Sequence, residues 1–313
     1  MQRDHLNFGI MLAIATAVIS GVSVFVNGMA VKLSDPIIYT LMKNAGVLLF
    51  LVATVIAFRN VKNFRNLSRN QWLTLIAIGL IGGSIPFALF FWGLKLGGAV
   101  ISSFIYRSLF IFAGIFGYLV LKEKPSKNDL MAGLLVLLGN AILLSGDISF
   151  GFGQLLVLAA TVLWGLEYTI SRKILADVES NVVMVSRMLF GSVALLAFTS
   201  TNGSISLLAS ISSTTVLWLG LTSILLFGFV MAWYNALKYL PVFKATTILA
   251  FGGIITTALN FVFTSASLSL IDLLSALLIL IGCLIAINLD KLWGIIFVIR
   301  SNSAPAPQKQ GKR

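Results

Sequence analysis

The chain has 313 residues, 58% apolar and only 10% charged, with 22 Lys+Arg against 10 Asp+Glu. Soluble domains run at about half apolar and about a quarter charged, so this composition cannot clothe a water-soluble enzyme or leave a disordered chain. The +12 charge is spread thinly over a mean hydropathy of +1.02, which excludes the dense basic face of a nucleic-acid binder.

A membrane-spanning helix needs about 20 mostly apolar residues. Ten such runs follow in chain order: 8–31, 37–58, 72–93, 99–121, 129–146, 152–171, 181–199, 214–237, 242–265 and 271–289. The first is too long for the apolar core of a signal peptide and has a matching segment downstream, so it reads as a span. Pro36 and Pro241 suit first helical turns, and Asp129 and Asp272 put negative charge at helix N-termini. Gly82, Gly83 and Pro86 predict a flexible element in the third run. Residues 59–71 read as an exposed loop, and 291–313 as a disordered cytoplasmic tail.

With the N-terminus inside, seventeen cations fall in inside segments and two, Lys32 and Lys95, in outside loops. That bias predicts a multi-pass protein of the cell membrane with both termini cytoplasmic. One cysteine (Cys283), one histidine (His5) and no Gly-rich phosphate loop argue against an enzyme, a metal site or a cofactor.

The chain also repeats itself. A shift of 143 lays 126–142 on 269–285 with eight identities in seventeen positions, including Asp129/Asp272 and Gly139/Gly282. It also pairs Phe90-Phe91 with Trp233-Tyr234. A shift of 144 pairs Lys43 with Arg187, and Gly9, Leu12, Ala15, Val18 and Gly21 with Gly153, Leu156, Ala159, Val162 and Gly165, a packing stripe. Each half holds an odd number of spans, so the halves must insert in opposite senses. An all-α bundle of ten transmembrane helices in two inverted five-helix repeats follows, 1–146 and 147–290, the architecture of many secondary transporters.

These features resemble the EamA-like transporters of the drug/metabolite transporter superfamily, over roughly 8–289. The resemblance is carried by the repeat, by Leu94-Lys95 and Leu237-Lys238, by Leu121-Lys122-Glu123 followed by Asp129 and Gly133, and by the basic residues in TLMKNAG and VSRMLFG. Two departures stand out: Phe110 and Gly253 occupy the usual proline positions of spans four and nine, and Glu123 is matched by Ala266. The resemblance implies a secondary transporter working by alternating access, with spans five and ten peripheral. It further implies export of small polar metabolites such as amino-acid-like or carboxylate compounds. A flippase or transporter of phosphorylated sugars or lipid precursors is the alternative, and a non-transporting membrane scaffold another. A small-molecule substrate and the lipid bilayer are the expected partners; a coupling proton and a homodimer are compatible with this reading.

Ionisable residues inside a span are functional candidates by default. There are four: Lys43, Arg107, Glu167 and Arg187. Glu167 and Arg187 lie at similar depth and can pair structurally; alternatively Glu167 is a proton- or ammonium-sensing group. Lys43 can snorkel or take a gating role. Arg107, beside Tyr106 and with no acid in its half of the membrane, is expected to join Lys43 in binding a substrate carboxylate or phosphate. Aromatic residues Phe90, Phe91, Trp92, Trp164, Tyr168, Trp233 and Tyr234 suit an amphipathic pocket or, for Trp92 and Trp164, an interfacial belt. Asn27, Asn44, Asn235 and Asn260 offer hydrogen bonds to substrate or between helices.

Overall fold

The computed structural model describes residues 2–97, 99–142, 151–264 and 269–287, and its regular elements there are all helical. They are α1 (Gln2–Ala30), α2 (Pro36–Ala57), α3 (Arg69–Ile78), α4 (Ile85–Gly97), α5 (Ala99–Arg107), α6 (Leu109–Leu121) and α7 (Lys127–Ile142). The second half supplies α8 (Phe152–Ile174), α9 (Ser180–Thr201), α10 (Ser213–Tyr239), α11 (Val242–Leu249), α12 (Gly252–Thr264) and α13 (Leu270–Ile287). Among the described residues nine helical stretches are long and apolar enough to cross a membrane. The expected fifth span appears as α7, 16 residues, about 24 Å at 1.5 Å per residue and short of a bilayer core about 30 Å thick. Its expected end, 143–146, and the tail 291–313 lie outside the described residues.

Local chemistry explains where helices begin. Asp35 accepts from the Ile37 and Ile38 N–H groups, with Pro36 as the first helical residue. Pro241 stands one position earlier than expected, just before α11. Asp129 Oδ2 accepts from Ser126 N–H and hydroxyl at 3.0 and 2.7 Å, while the Ser126 hydroxyl accepts from Asp129 N–H. Ser269 and Asp272 repeat this reciprocal cap at the start of α13.

The two expected helices 99–121 and 242–265 are each interrupted, between α5 and α6 at Ser108 and between α11 and α12 at Ala250–Phe251. Under the 143 shift these breaks coincide, although neither has a proline. At the first, the Ser108 hydroxyl takes the Ile105 carbonyl at 2.6 Å and competes with the helical ladder.

Helices α1 and α8 pack on α10 and α4 respectively, α2 lies on α9, and α7 lies on α13. A side chain at Gly139 would strike Ser275 O and Ile279; one at Gly282 would strike Ala132 O and Val136. Ser275 and Ile279 are Ala132 and Val136 shifted by 143, so the α7–α13 contact is built twice from equivalent positions. The expected glycine-rich stripe on α1 holds only at its ends. Gly21 abuts Gly252 O, whereas Ala15 and Val18 are exposed, because a three-residue spacing drifts off one face of a 3.6-residue helix.

One end of the bundle is knit by ions. Arg172 meets Glu123 at 3.5 Å, Lys238 meets Glu179 at 3.0 Å and Lys244 meets Asp129 at 3.1 Å. Glu123 also accepts from the Val242 N–H, tying the end of α6 to the start of α11.

Candidate functional site

The site begins with a helical irregularity. Between α3 and α4, Gly79–Ser84 forms a π-helical turn, and Pro86 follows. Pro86 has no N–H to give to the Gly82 carbonyl four residues back. That carbonyl accepts instead from Arg187 Nη2 at 2.8 Å and Trp164 Nε1 at 3.2 Å. The Gly83 carbonyl accepts from Asn44 Nδ2 at 2.6 Å. The segment predicted to be flexible is thus a set of acceptors bound to three other helices. Its glycines are required by proximity: a Cβ at Gly82 would lie 2.5 Å from Glu167 Cγ, and one at Gly83 2.4 Å from Arg187 O.

Arg187 is buried with its counter-ion. Its Nε lies 3.8 Å from Glu167 Oε2, while Glu167 Oε1 accepts from the Ser171 hydroxyl at 2.6 Å and the Tyr234 hydroxyl at 2.7 Å. The guanidinium stacks 5.4 Å from the Phe87 ring and 5.9 Å from the Tyr234 ring. Glu167 is 0% exposed and Arg187 2%. The structural ion pair expected between them is present, yet Arg187 Nη1 donates to no described protein group.

Lys43, at the repeat-equivalent position on α2, is also 2% exposed and does not snorkel. Its Nζ donates to Asn27 Oδ1 at 2.9 Å and lies 5.7 and 5.6 Å from the rings of Tyr39 and Phe91. The Tyr39 hydroxyl lies 2.7 Å from the same Asn27 oxygen and 2.9 Å from Thr222 Oγ1. Asn27 Nδ2 in turn donates to Ser23, on both its carbonyl and its hydroxyl. No ion pair to Lys43 occurs among the described residues. The cause is legible once the repeat is overlaid. Shifts of 144 and 143 carry Glu167, Ser171 and Tyr234 onto Ser23, Asn27 and Phe91. The cation is kept in the first half, but the acid and the phenol are gone.

Both cations line one cavity of about 100 Å³. Its wall includes Lys43, Arg187, Asn27, Tyr106, Phe90 and Trp164. Lining residues run from Tyr168 and Arg187 in mid-bundle to Gly28 and Leu94, near the ends of α1 and α4 away from the ion-paired end. Rings of Phe90, Tyr106 and Trp164 meet pairwise at 5.4–5.5 Å between centroids. Desolvating an ion costs several kcal/mol, and one desolvated cation–ring contact returns about 2 kcal/mol. Lys43 is held by one amide oxygen and two rings, with no carboxylate partner among the described residues.

Of the residues singled out from sequence, Lys43, Arg187, Tyr106, Phe90, Phe91, Trp164, Tyr168 and Asn27 line this cavity. Glu167 and Tyr234 stand behind Arg187, Asn44 braces the Gly83 carbonyl, and Trp233 is fully buried against Tyr168, with 4.6 Å between ring centroids. Arg107 is elsewhere. It donates to Gly253 O at 3.2 Å and shares a small recess with Thr257, Asp272 and Ser275. It does not join Lys43, and an acid lies in its recess after all, because α13 packs beside α12. Trp164 is 4% exposed and is a cavity wall, whereas Trp92 is 49% exposed and faces outward. Asn235 and Asn260 serve the fold, with Ser180 and the Thr256 carbonyl respectively. Ser23 was missed, and extending the 144 shift along α1 would have found it.

A bundle of long apolar helices around a buried, charged, small-molecule-sized cavity defines a multi-pass membrane transporter. The EamA-like transporter family model matches twice, over 7–145 and 151–288, and the chain belongs to that family. A protein described as an uncharacterized transporter, from Methanothermobacter thermautotrophicus, is 30% identical over 143 residues, 41% of this chain and 42% of the relative. The match therefore spans less than half of that relative's length. A protein of solved crystal structure aligns over 95% of this chain and 99% of its own, with TM-score 0.70 and 17% identity, a likeness of fold.

Proposed function

We propose that the protein is a secondary transporter of small anionic metabolites, carboxylates above all, working by alternating access between two inverted five-helix halves at the cell membrane. The observation that carries this reading is Lys43, a buried cation without a carboxylate partner on the wall of the central cavity. Matching breaks in two corresponding spans, and the doubly built α7–α13 contact, support the inverted repeat.

The seventeen-to-two cation bias supports cytoplasmic termini. In that orientation the cavity faces outward, and Arg187 with Glu167, Tyr234 and Trp233 closes it toward the cytoplasm. Arg107, bonded to the Gly253 carbonyl beside the second break, is assigned on this reading a role in bracing spans four and nine.

Uptake of radiolabelled carboxylates into proteoliposomes, with and without a pH gradient, tests the reading. Lys43→Met is expected to lose about tenfold to a hundredfold in apparent affinity, the worth of hydrogen bonds to a charged group. Wild-type affinity for every anion carried by the parent protein would refute it.

A further inference from the structure

We propose that the cavity selects organic monoanions with a single aromatic or branched apolar body and discriminates against zwitterions that carry an ammonium group beside the carboxylate. This deepens the anion-transport reading and rests on it.

The charge pattern comes first. Two cations, Lys43 and Arg187, line the cavity, and among the described residues no Asp or Glu does. Glu167, the nearby acid, is 0% exposed and committed to Ser171 and Tyr234 through one oxygen, with Arg187 facing the other. A carboxylate entering here meets donors. The Lys43 ammonium carries three N–H groups, of which one is given to Asn27, and Arg187 Nη1 is uncommitted. An ammonium two bonds from that carboxylate meets Lys43, a like charge that no carboxylate offsets among the described residues, and finds no acid on the described cavity wall. The Asn27 oxygen near Lys43 already takes Lys43 and lies 2.7 Å from the Tyr39 hydroxyl. The ring faces could attract a lone cation, but Lys43 already sits over Phe91 and Arg187 over Phe87.

The body of the ligand is read from the remaining wall. Phe90, Tyr106 and Trp164 form a continuous aromatic surface on the cavity wall, to which Phe87, Leu226 and Phe229 add further apolar lining. The volume, about 100 Å³, approaches the roughly 150 Å³ that holds one benzene ring. The cavity's enclosed part is matched in size by one ring or a branched aliphatic group, with the headgroup at the cations.

The test uses the full-length wild-type protein in detergent and proteoliposomes, with probes that share a body and differ in headgroup. They are 3-phenylpropionate, phenylalanine and phenethylamine, with malate as a polar anion. Ligand-induced thermal stabilisation and competition report binding. The expected order is 3-phenylpropionate at least tenfold tighter than phenylalanine or malate, with no binding of phenethylamine. Phenylalanine equal to or tighter than 3-phenylpropionate overturns the discrimination against zwitterions, and malate equal to it overturns the apolar-body requirement. Either result leaves the anion reading intact. Preference for phenethylamine, or binding of none of the anions, overturns both. Lys43→Met, checked for a monodisperse elution profile, is expected to weaken 3-phenylpropionate binding about tenfold to a hundredfold. Lys43→Arg, which keeps the charge, is expected to retain part of it. The headgroup series on the wild type decides the matter even if both variants misfold.

Discussion

Lys43 and Arg187 occupy equivalent places in the two halves, yet their surroundings have diverged. Around Arg187 the chain supplies Glu167, Ser171, Tyr234 and the Gly82 carbonyl; around Lys43 it supplies Asn27, Tyr39 and Phe91. One half holds a nearly closed circuit of charge and hydrogen bonds, and the other holds a charge in waiting. The doubled sequence keeps a cation in each half, but among the described residues only Arg187 keeps a carboxylate partner, while Lys43 faces the cavity without one. On the function proposed above, that local departure from the repeat is what opens a place for an anion.

The comparison breaks most visibly if the same change is made on each side. Arg187→Met strands Glu167 in the core and frees the Gly82 carbonyl, and loss of one partner of a buried pair costs about 3–5 kcal/mol. We expect little monodisperse protein and a sharply lower unfolding temperature in detergent. Lys43→Met removes a charge with no acid partner, so it should unfold at or above the parent temperature while losing substrate. Equal destabilisation by the two changes would erase the distinction.

A smaller effect should come from restoring the missing acid. Ser23→Glu puts a carboxylate where Glu167 stands in the other half, next to Asn27 and hence to Lys43. Anion affinity is expected to fall about tenfold, about 1.4 kcal/mol, in a folded protein, measured by competition in proteoliposomes. Unchanged affinity would mean that Lys43 is not the anion's partner. Smallest of all, Tyr39→Phe deletes a hydroxyl shared between Asn27 and Thr222 and should cost about 1 kcal/mol of stability. Its thermal shift, set beside that of Tyr234→Phe, measures how much more the closed circuit depends on its phenol.

Much of this was readable without coordinates. Apolar runs about 20 residues long have few ways to satisfy their backbone in a membrane other than as helices, so most spans were legible, as were the helix starts marked by Pro36, Asp129 and Asp272. The capping partners Asp35, Ser126 and Ser269 came from the structure. The repeat was legible because glycines and charges recur under nearly one offset. The breaks in spans four and nine were not. They form at Ser108 and Ala250–Phe251 with no proline to announce them, the first beside a serine hydroxyl that bonds the Ile105 carbonyl.

The pairing of Arg107 with Lys43 looked plausible because depth along a helix can be counted from sequence. Azimuth relative to other helices cannot, and Arg107 turns toward Gly253 and Asp272 instead. Sequence by itself determined a membrane-spanning helical chain, its doubling and the four charges inside its spans, because a lipid environment constrains each segment separately. Only the tertiary structure decided which charges meet, since that depends on how helices from distant parts of the chain rotate and approach. It closed Arg187 against Glu167 and left Lys43 facing a cavity.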